Sequence, residues 1–279
     1  MRVTISQIRQ MKQKGDKIAM LTAYDYTTAR IVDEVGLPIV LVGDSLGMVI
    51  LGYETTIPTT MEEMLNHTKA VARGTKQAMV IGDMPFMSYH ITTQDALRNA
   101  TRFIQEGGAQ AVKLEGGLNV AEKVRSIVNC GIPVMGHIGL VPQSIHQLGG
   151  FKAQGKTLDK AMGLIKDAKA LEDAGAFAIV LETIPAQLAK VISQKIAIPT
   201  IGIGSGAGCD GQVLVINDLL GLSTNFIPGH AKQYAQLADI MSSAIAEYYT
   251  EVKTGSFPTE KQSFYMNESI LAELKQRLT

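Results

Sequence analysis

Residues 39–48 read I-V-L-V-G-D-S-L-G-M. The run from Ile39 to Val42 is apolar at every position, the pattern of a strand buried on both faces rather than on one. It ends beside a bare carboxylate, Asp44, followed by Ser45 and Gly47. The same arrangement recurs along the chain. IAMLTAY (18–24) precedes Asp25, AMVIG (78–82) precedes Asp83, and AVKL (111–114) precedes Glu115. PVMG (133–136) precedes His137 and AIVL (178–181) precedes Glu182. PTIGIGSG (199–206) and a weaker VLVI (213–216, before Asn217) complete eight strand candidates.

Segments of helical spacing separate most of these runs, for example TMEEMLNHTKAVARG (60–74) and TQDALRNATRFIQEGG (93–108). Several close on glycine, which takes the left-handed C-cap conformation without a Cβ penalty. Buried parallel strands alternating with helices predict an α/β fold, a single-domain (β/α)8 TIM barrel over about 18–250. A doubly wound open sheet is the alternative, weakened because no GxGxxG follows the first strand. A polar N-terminal helix precedes the barrel. QYAQLADIMSSAIAEYYTEVK (233–253) reads as a long helix and NESILAELKQRL (267–278) as an amphipathic one, in a C-terminal extension over about 255–279 that packs on the barrel or on a neighbouring subunit. No linker or low-complexity segment divides the 279 residues, so one domain is expected.

Composition removes several function classes. With 26 basic and 26 acidic side chains the chain has no net charge, which argues against nucleic acid or an anionic membrane as the main partner. It has no Trp, and aromatics are 5 %, so no stacking platform for bases is suggested. Cys130 and Cys209 have no spacing that suits zinc or a disulfide framework, and a reducing, cytoplasmic location is expected. No run is long enough to span a bilayer, and the N-terminus has no apolar signal core.

Barrel active sites lie at the C-terminal ends of the strands. Asp44, Asp83, Glu115, His137 and Glu182 end five different strands, so closure would gather them at one mouth. Lys113 shares a strand face with Glu115 by the period-2 rule, and a lysine between Val112 and Leu114 is odd on a surface. Taken singly, each has a bland reading: Asp44 as a helix cap, Asp83 as a turn former, Glu115 in an ion pair with Lys113, His137 as a core histidine, Glu182 capping the helix near Pro185. Together, several carboxylates in one cavity repel one another unless one is protonated or a cation is present. Without a Cys/His cluster, hard oxygen donors suit Mg²⁺. Asp44 and Asp83 are expected as direct ligands with Glu115 close by. Such an ion could chelate an α-keto acid and acidify the adjacent carbon, with Lys113 offsetting substrate charge and Glu182 or His137 accepting the proton. The loop at 138–156 is long for a βα connection and reads equally as a lid or an ordered turn. GIGSGAG (202–208) is a phosphate cradle or a close-packed strand end, and His67 is expected to be structural.

LTAYDYTTA, LVGDSLGMV, IGDMPFMSY, AVKLEGG, PVMGHIGLVPQS, GGFKAQG, LETIP and IGIGSGAGCDGQVLV occur in that order over about residues 20–220. In these stretches the chain resembles the ketopantoate hydroxymethyltransferase family of the pyruvate/phosphoenolpyruvate barrel superfamily. The resemblance implies Mg²⁺, one per subunit, on Asp44, Asp83 and Glu115, and contacts to the keto acid from Asp44, Ser45, Asp83, Lys113 and His137. It implies Glu182 as the catalytic proton acceptor. The implied reaction is hydroxymethyl transfer from 5,10-methylenetetrahydrofolate to 3-methyl-2-oxobutanoate in pantothenate biosynthesis, by a homo-oligomer, typically a decamer. A 2-oxo acid lyase or mutase of the same superfamily is the alternative. The sequence departs from the family pattern at Gly229-His230, where PKFAK is more usual, and at Val141, Gln262 and Tyr265.

Overall fold

A computed structural model of the chain describes residues 1–223 and 227–278; residues 224–226 of the expected barrel span and Thr279 of the expected extension lie outside the described residues. The described residues form eight strands: β1 (Ile18–Thr22), β2 (Ile39–Val42), β3 (Met79–Asp83), β4 (Ala111–Glu115), β5 (Val134–Gly139), β6 (Ala178–Glu182), β7 (Thr200–Ile203) and β8 (Gly211–Leu214). All pair in parallel, in chain order, and β1 pairs with β8 to close a barrel flanked by helices. At that seam a Cβ on Gly211 would stand 2.3 Å from the Ile18 carbonyl oxygen, so the closing strand needs glycine there.

The alternation along each strand sorts its side chains into two cores. Ile39 and Leu41, Met79 and Ile81, Ala111, Met135, Ala178 and Val180 fill the barrel interior. Val40 and Val42, Val80, Val112 and Leu114, Val134, Ile179 and Leu181 point outward and pack under the helices. Burying an aliphatic side chain of this kind contributes about 1.5–3 kcal/mol. One more step of two along the inward set lifts Ile81 to Asp83, Ala111 to Lys113 and then Glu115, Met135 to His137, and Val180 to Glu182. The apolar interior therefore ends in a polar tier on one side only.

The opposite end is plugged. The helix Ile5–Lys14 starts with a Thr4/Gln7 capping box and inserts Ile8, fully buried, among the interior residues. Lys12 Nζ donates to the carbonyls of Ser193, Ile196 and Ile198 at 2.8, 2.9 and 2.9 Å and pairs with Asp210 at 3.0 Å. A second clamp holds the start of β3. Asp33, in the helix Tyr26–Val35, accepts the N–H groups of Lys76, Gln77 and Ala78 at 2.8, 2.9 and 2.7 Å.

The structure changes one expectation and narrows another, the packing of the C-terminal helices on the barrel. The last strand is Gly211–Leu214 rather than 213–216, because the Ile216 N–H leaves the ladder and donates to Thr22 Oγ1 at 2.9 Å. The long C-terminal helix runs Leu237–Thr254, and neither it nor the tail helix Glu268–Leu278 buries any residue against the barrel. Among the described residues no helix is long and apolar enough to cross a membrane.

Candidate active site

The polar tier floors a cavity of about 830 Å³ at the C-terminal mouth of the barrel, lined by Asp44, Asp83, Lys113, Glu115, His137 and Glu182 among others. A ligand pocket of this size takes a small molecule with room for a second one. The helix-cap roles of Asp44 and Glu182 are absent from the geometry, whereas the Lys113–Glu115 ion pair is present. The short helix Leu46–Val49 has no side-chain cap from Asp44 or Ser45, and the helix Ala186–Lys195 starts at Pro185 without a cap from Glu182 or Thr183.

Lys113 Nζ instead forks onto Asp83, at 2.7 Å from Oδ1 and 2.8 Å from Oδ2, and lies 4.0 Å from Glu115 Oε1. The Asp44 backbone N–H donates to Asp83 Oδ2 at 3.2 Å, which brings the first two carboxylates together. His137 lies between two acids, Nδ1 at 3.3 Å from Glu115 Oε1 and Nε2 at 3.1 Å from Glu182 Oε2. These are ion-pair contacts: neither ring nitrogen has the alignment of a hydrogen bond. The Ser45 hydroxyl sits 2.8 Å from the Tyr24 hydroxyl at the cavity wall.

The charges are not balanced. Asp44, Asp83 and Glu115 face Lys113 and His137, all at most 4 % exposed, three acids against two bases. Burial raises the Asp44 carboxyl well above its ordinary range, and the charges of Asp83 and Glu115 raise it further. Burial also raises Asp83, partly offset by Lys113. For Glu115, burial is outweighed by His137 and Lys113, and the group ends below its ordinary range. Burial and Lys113 push the His137 imidazole down, but Glu115 and Glu182 reverse this and hold it at about 9. The surplus of acids thus falls on Asp44, whose carboxyl is pushed toward holding a proton unless a cation is supplied, and whose Oδ1 receives no donor among the described residues.

That surplus is the observation that bears on a metal. Among the described residues no group of three or more His, Cys, Asp and Glu side chains is arranged to hold a metal ion. A pair of neighbouring carboxylates, Asp44 and Asp83, fits Mg²⁺, which takes one or two protein carboxylates and fills its octahedron with water and substrate oxygens. Glu115 lies beside them, its Oε1 3.3 Å from His137 Nδ1 and its Oε2 accepting the Gln143 N–H at 3.0 Å.

Two residues went unread in the sequence. Gln143, 2 % exposed, donates from Nε2 to Asp44 Oδ2 and to the Met84 carbonyl, both at 2.9 Å. Its Oε1 accepts the Tyr89 hydroxyl at 2.7 Å, and that hydroxyl accepts the Glu115 N–H at 3.0 Å. Tyr89 and Gln143 thereby fix Asp44 and Glu115 relative to each other. The only sequence signal for Gln143 was its place in the long loop after β5. That loop is ordered at its start by Gln143 and tied near its end by the Gln154 N–H to the Thr183 carbonyl at 3.0 Å. Thr183 itself takes a left-handed backbone, φ 49°, immediately after Glu182, where a β-branched residue is strained. GIGSGAG is a close-packed strand end: Ser205 Oγ donates to the Leu181 carbonyl at 2.8 Å, and a Cβ on Gly206 would stand 2.5 Å from the Ala186 Cβ. His67 is structural, with Nδ1 2.6 Å from the Tyr24 carbonyl oxygen.

Comparison with known proteins places this geometry. A family model described as ketopantoate hydroxymethyltransferase matches residues 2–260. A 3-methyl-2-oxobutanoate hydroxymethyltransferase of Dehalococcoides mccartyi is 64 % identical over 276 residues, 99 % of each chain. One of Carboxydothermus hydrogenoformans is 59 % identical over 273 residues, 98 % of this chain and 99 % of the other. Among solved structures, a phosphonopyruvate hydrolase superposes with TM-score 0.60 at 12 % identity, covering 100 % of this chain and 97 % of that one. A putative phosphonomutase of Burkholderia cenocepacia superposes with TM-score 0.61 at 14 % identity, covering 76 % and 92 %. At such identities the structural likeness speaks for the barrel alone.

Proposed function

The chain belongs to the ketopantoate hydroxymethyltransferase family, and from that premise we propose that it carries a hydroxymethyl unit from 5,10-methylenetetrahydrofolate to C3 of 3-methyl-2-oxobutanoate, giving ketopantoate for pantothenate synthesis. The observation that carries the reading is the line of side chains across the cavity floor: Lys113 on Asp83 at one side, Glu182 held beside His137 at the other. We place a small anionic keto acid between them, its charge met by Lys113, in the cavity that Ser45 also lines.

Mg²⁺ held by Asp44 and Asp83 would polarise the keto group and lower the pKa of the neighbouring C3–H bond. The chain's own residues do the rest. Glu182 accepts the C3 proton, and the bonding pair stays on the substrate, delocalised toward the keto oxygen. His137, cationic at neutral pH from its value of about 9, keeps Glu182 turned into the cavity. The pair on C3 then forms the new C–C bond to the one-carbon unit. In the net reaction one water is consumed and tetrahydrofolate leaves.

The test is proton exchange. In D₂O with the keto acid and Mg²⁺ but no folate, the protein is expected to exchange the C3 proton by NMR, and Glu182→Gln is expected to abolish it. Exchange indifferent to both Mg²⁺ and Glu182 would overturn the mechanism. Added methylenetetrahydrofolate should then yield ketopantoate.

Two coarser traits go with this reading. A cytoplasmic location accords with two unpaired cysteines, one exposed and one buried. A homo-oligomer, with the family's decamer as the expected form, is supported by the helix Leu237–Thr254. It buries nothing, yet carries Ile240, Met241, Ile245, Tyr248 and Tyr249, each at least half exposed. Light scattering on the purified protein that returns a monomer mass would refute it.

A further inference from the structure

Asp218 is a buried carboxylate that the chemistry above leaves idle. It sits in the short helix Ile216–Leu219 that follows β8, is 7 % exposed, and lines the same cavity as Asp44 and Glu182. With the strands closed in chain order, β8 stands across the barrel from β4, so Asp218 borders the cavity on the side away from Lys113 and Glu115. Among the described residues one hydrogen bond reaches its side chain: the Ser223 hydroxyl donates to Oδ1 at 2.8 Å. Its second oxygen receives no donor among the described residues.

An ionised carboxylate only accepts hydrogen bonds, and a buried one is costly until donors are supplied. Leu214, Leu222 and Pro228 line the same cavity and offer no side-chain donor. Asn217 lines the same wall, and its side-chain amide has no protein partner among the described residues. His230, at the position where the sequence departs from the PKFAK pattern, closes the wall, its ring 3.2 Å from where a Cβ on Gly204 would stand. A carboxylate beside an amide complements a ligand edge that offers N–H donors to the first and a mixed donor–acceptor group to the second. An anionic edge is excluded by the charge of Asp218 itself.

We propose that Asp218, flanked by Asn217 and Ser223, forms a second subsite that takes the 2-amino-4-oxopyrimidine edge of a reduced pterin, the carboxylate accepting from the ring N–H and the exocyclic amine together. The proposal rests on the folate donor of the proposed function and says where its ring system binds. Two parallel N–H···O bonds to one carboxylate are a strong and geometrically selective pairing. They would put the pterin on the β8 side of the mouth and point its one-carbon unit across the cavity toward the keto acid. Burial raises the Asp218 carboxyl above its ordinary value, Ser223 and His230 offsetting only part of the rise, so a donor pair from the ligand would supply what the ionised form lacks.

The experiment is calorimetric titration with 5-formyltetrahydrofolate, and with p-aminobenzoylglutamate, which lacks the pterin. The protein is expected to bind the first and not the second. Asp218→Asn presents an amide N–H₂ to the pterin donors and is expected to weaken binding roughly 10- to 150-fold. In steady state it should raise KM for methylenetetrahydrofolate and leave KM for 3-methyl-2-oxobutanoate unchanged. Ser223→Ala keeps the carboxylate and removes one donor, and should weaken binding in the same direction by less. Unchanged folate affinity in a folded Asp218→Asn variant, or in Ser223→Ala should the first not fold, overturns the subsite. So does wild-type binding of p-aminobenzoylglutamate as tight as that of 5-formyltetrahydrofolate. If the wild type exchanges the C3 proton but binds no reduced folate, the folate donor itself is wrong, a different failure.

Discussion

Gln143→Leu keeps the volume of a side chain that is 2 % exposed and removes three hydrogen bonds, those to Asp44 Oδ2, to the Met84 carbonyl and from the Tyr89 hydroxyl. The Tyr89 hydroxyl has a fallback, the Glu115 carbonyl 3.3 Å away. The Asp44 oxygen and the Met84 carbonyl have none among the described residues. Two stranded buried acceptors at about 1–3 kcal/mol each give a loss of about 4 kcal/mol. With an unfolding entropy of about 2.1 cal/mol/K per residue over 279 residues, that is a fall in Tm of about 7 °C. Function should suffer separately, because the Gln143 backbone N–H still reaches Glu115 while Asp44 loses its anchor. The C3 exchange rate at limiting Mg²⁺ is therefore expected to fall more than the rate at saturating Mg²⁺. Gln143→Glu would set a carboxylate against Asp44 and should be worse on both counts. A Gln143→Leu protein that melts within a degree of the parent, with the same dependence on Mg²⁺, refutes the claim that this residue holds the site together.

Two further substitutions test the scaffold. Burial raises the Asp33 carboxyl, but the N–H groups of Ala78, Lys76 and Gln77 and the charge of Arg2 outweigh it and hold the group below its ordinary value of 3.8. Its contribution to stability is therefore complete above that value and is lost as pH falls through the lower folded-state value; urea midpoints measured below pH 4 should drop more steeply for the parent than for Asp33→Asn, and parallel curves would contradict this. A Cβ on Gly82 would stand 2.2 Å from Phe103 Cδ1 in a fully buried contact, so Gly82→Ala should cost about 1–3 kcal/mol and Phe103→Leu should rescue part of that loss, a coupling that a double-mutant cycle measures directly.

The barrel was legible because its evidence is local. A run such as Ile39–Val42 carries its burial in adjacent letters, and the polar residue that ends each run follows within a position or two. Lys113 was legible for the same reason, as a charge between Val112 and Leu114. The eighth strand was misplaced by two residues because Gly211 and Gln212 have little strand character. The apolar Val215 and Ile216 look like strand but turn into the next helix, and only the bond to Thr22, 194 residues away, reveals the turn. Gln143 was invisible on the same ground: its bond to Asp44 spans 99 residues and its bond to Tyr89 spans 54, so no window of sequence contains the reason for a glutamine there. Asp218 looks in sequence like an ordinary helix residue after a strand, and only closure of the barrel sets it on the rim of the cavity.

The seam between β1 and β8 also sets an order of events at the ribosome. The first strand leaves the exit tunnel with one of its two neighbours still unmade, and Lys12 must wait for carbonyls 181–186 residues downstream before its charge is met. At about 5–20 residues per second, β8 follows β1 by roughly 10–40 s, and for that interval an apolar strand edge and the inner face of the N-terminal helix stay open to any partner. A chain built this way depends on what shelters its first twenty residues during synthesis as much as on the stability of the closed barrel. A circular permutant that begins just before β8 would make this seam early and move the late closure to the β7–β8 pair.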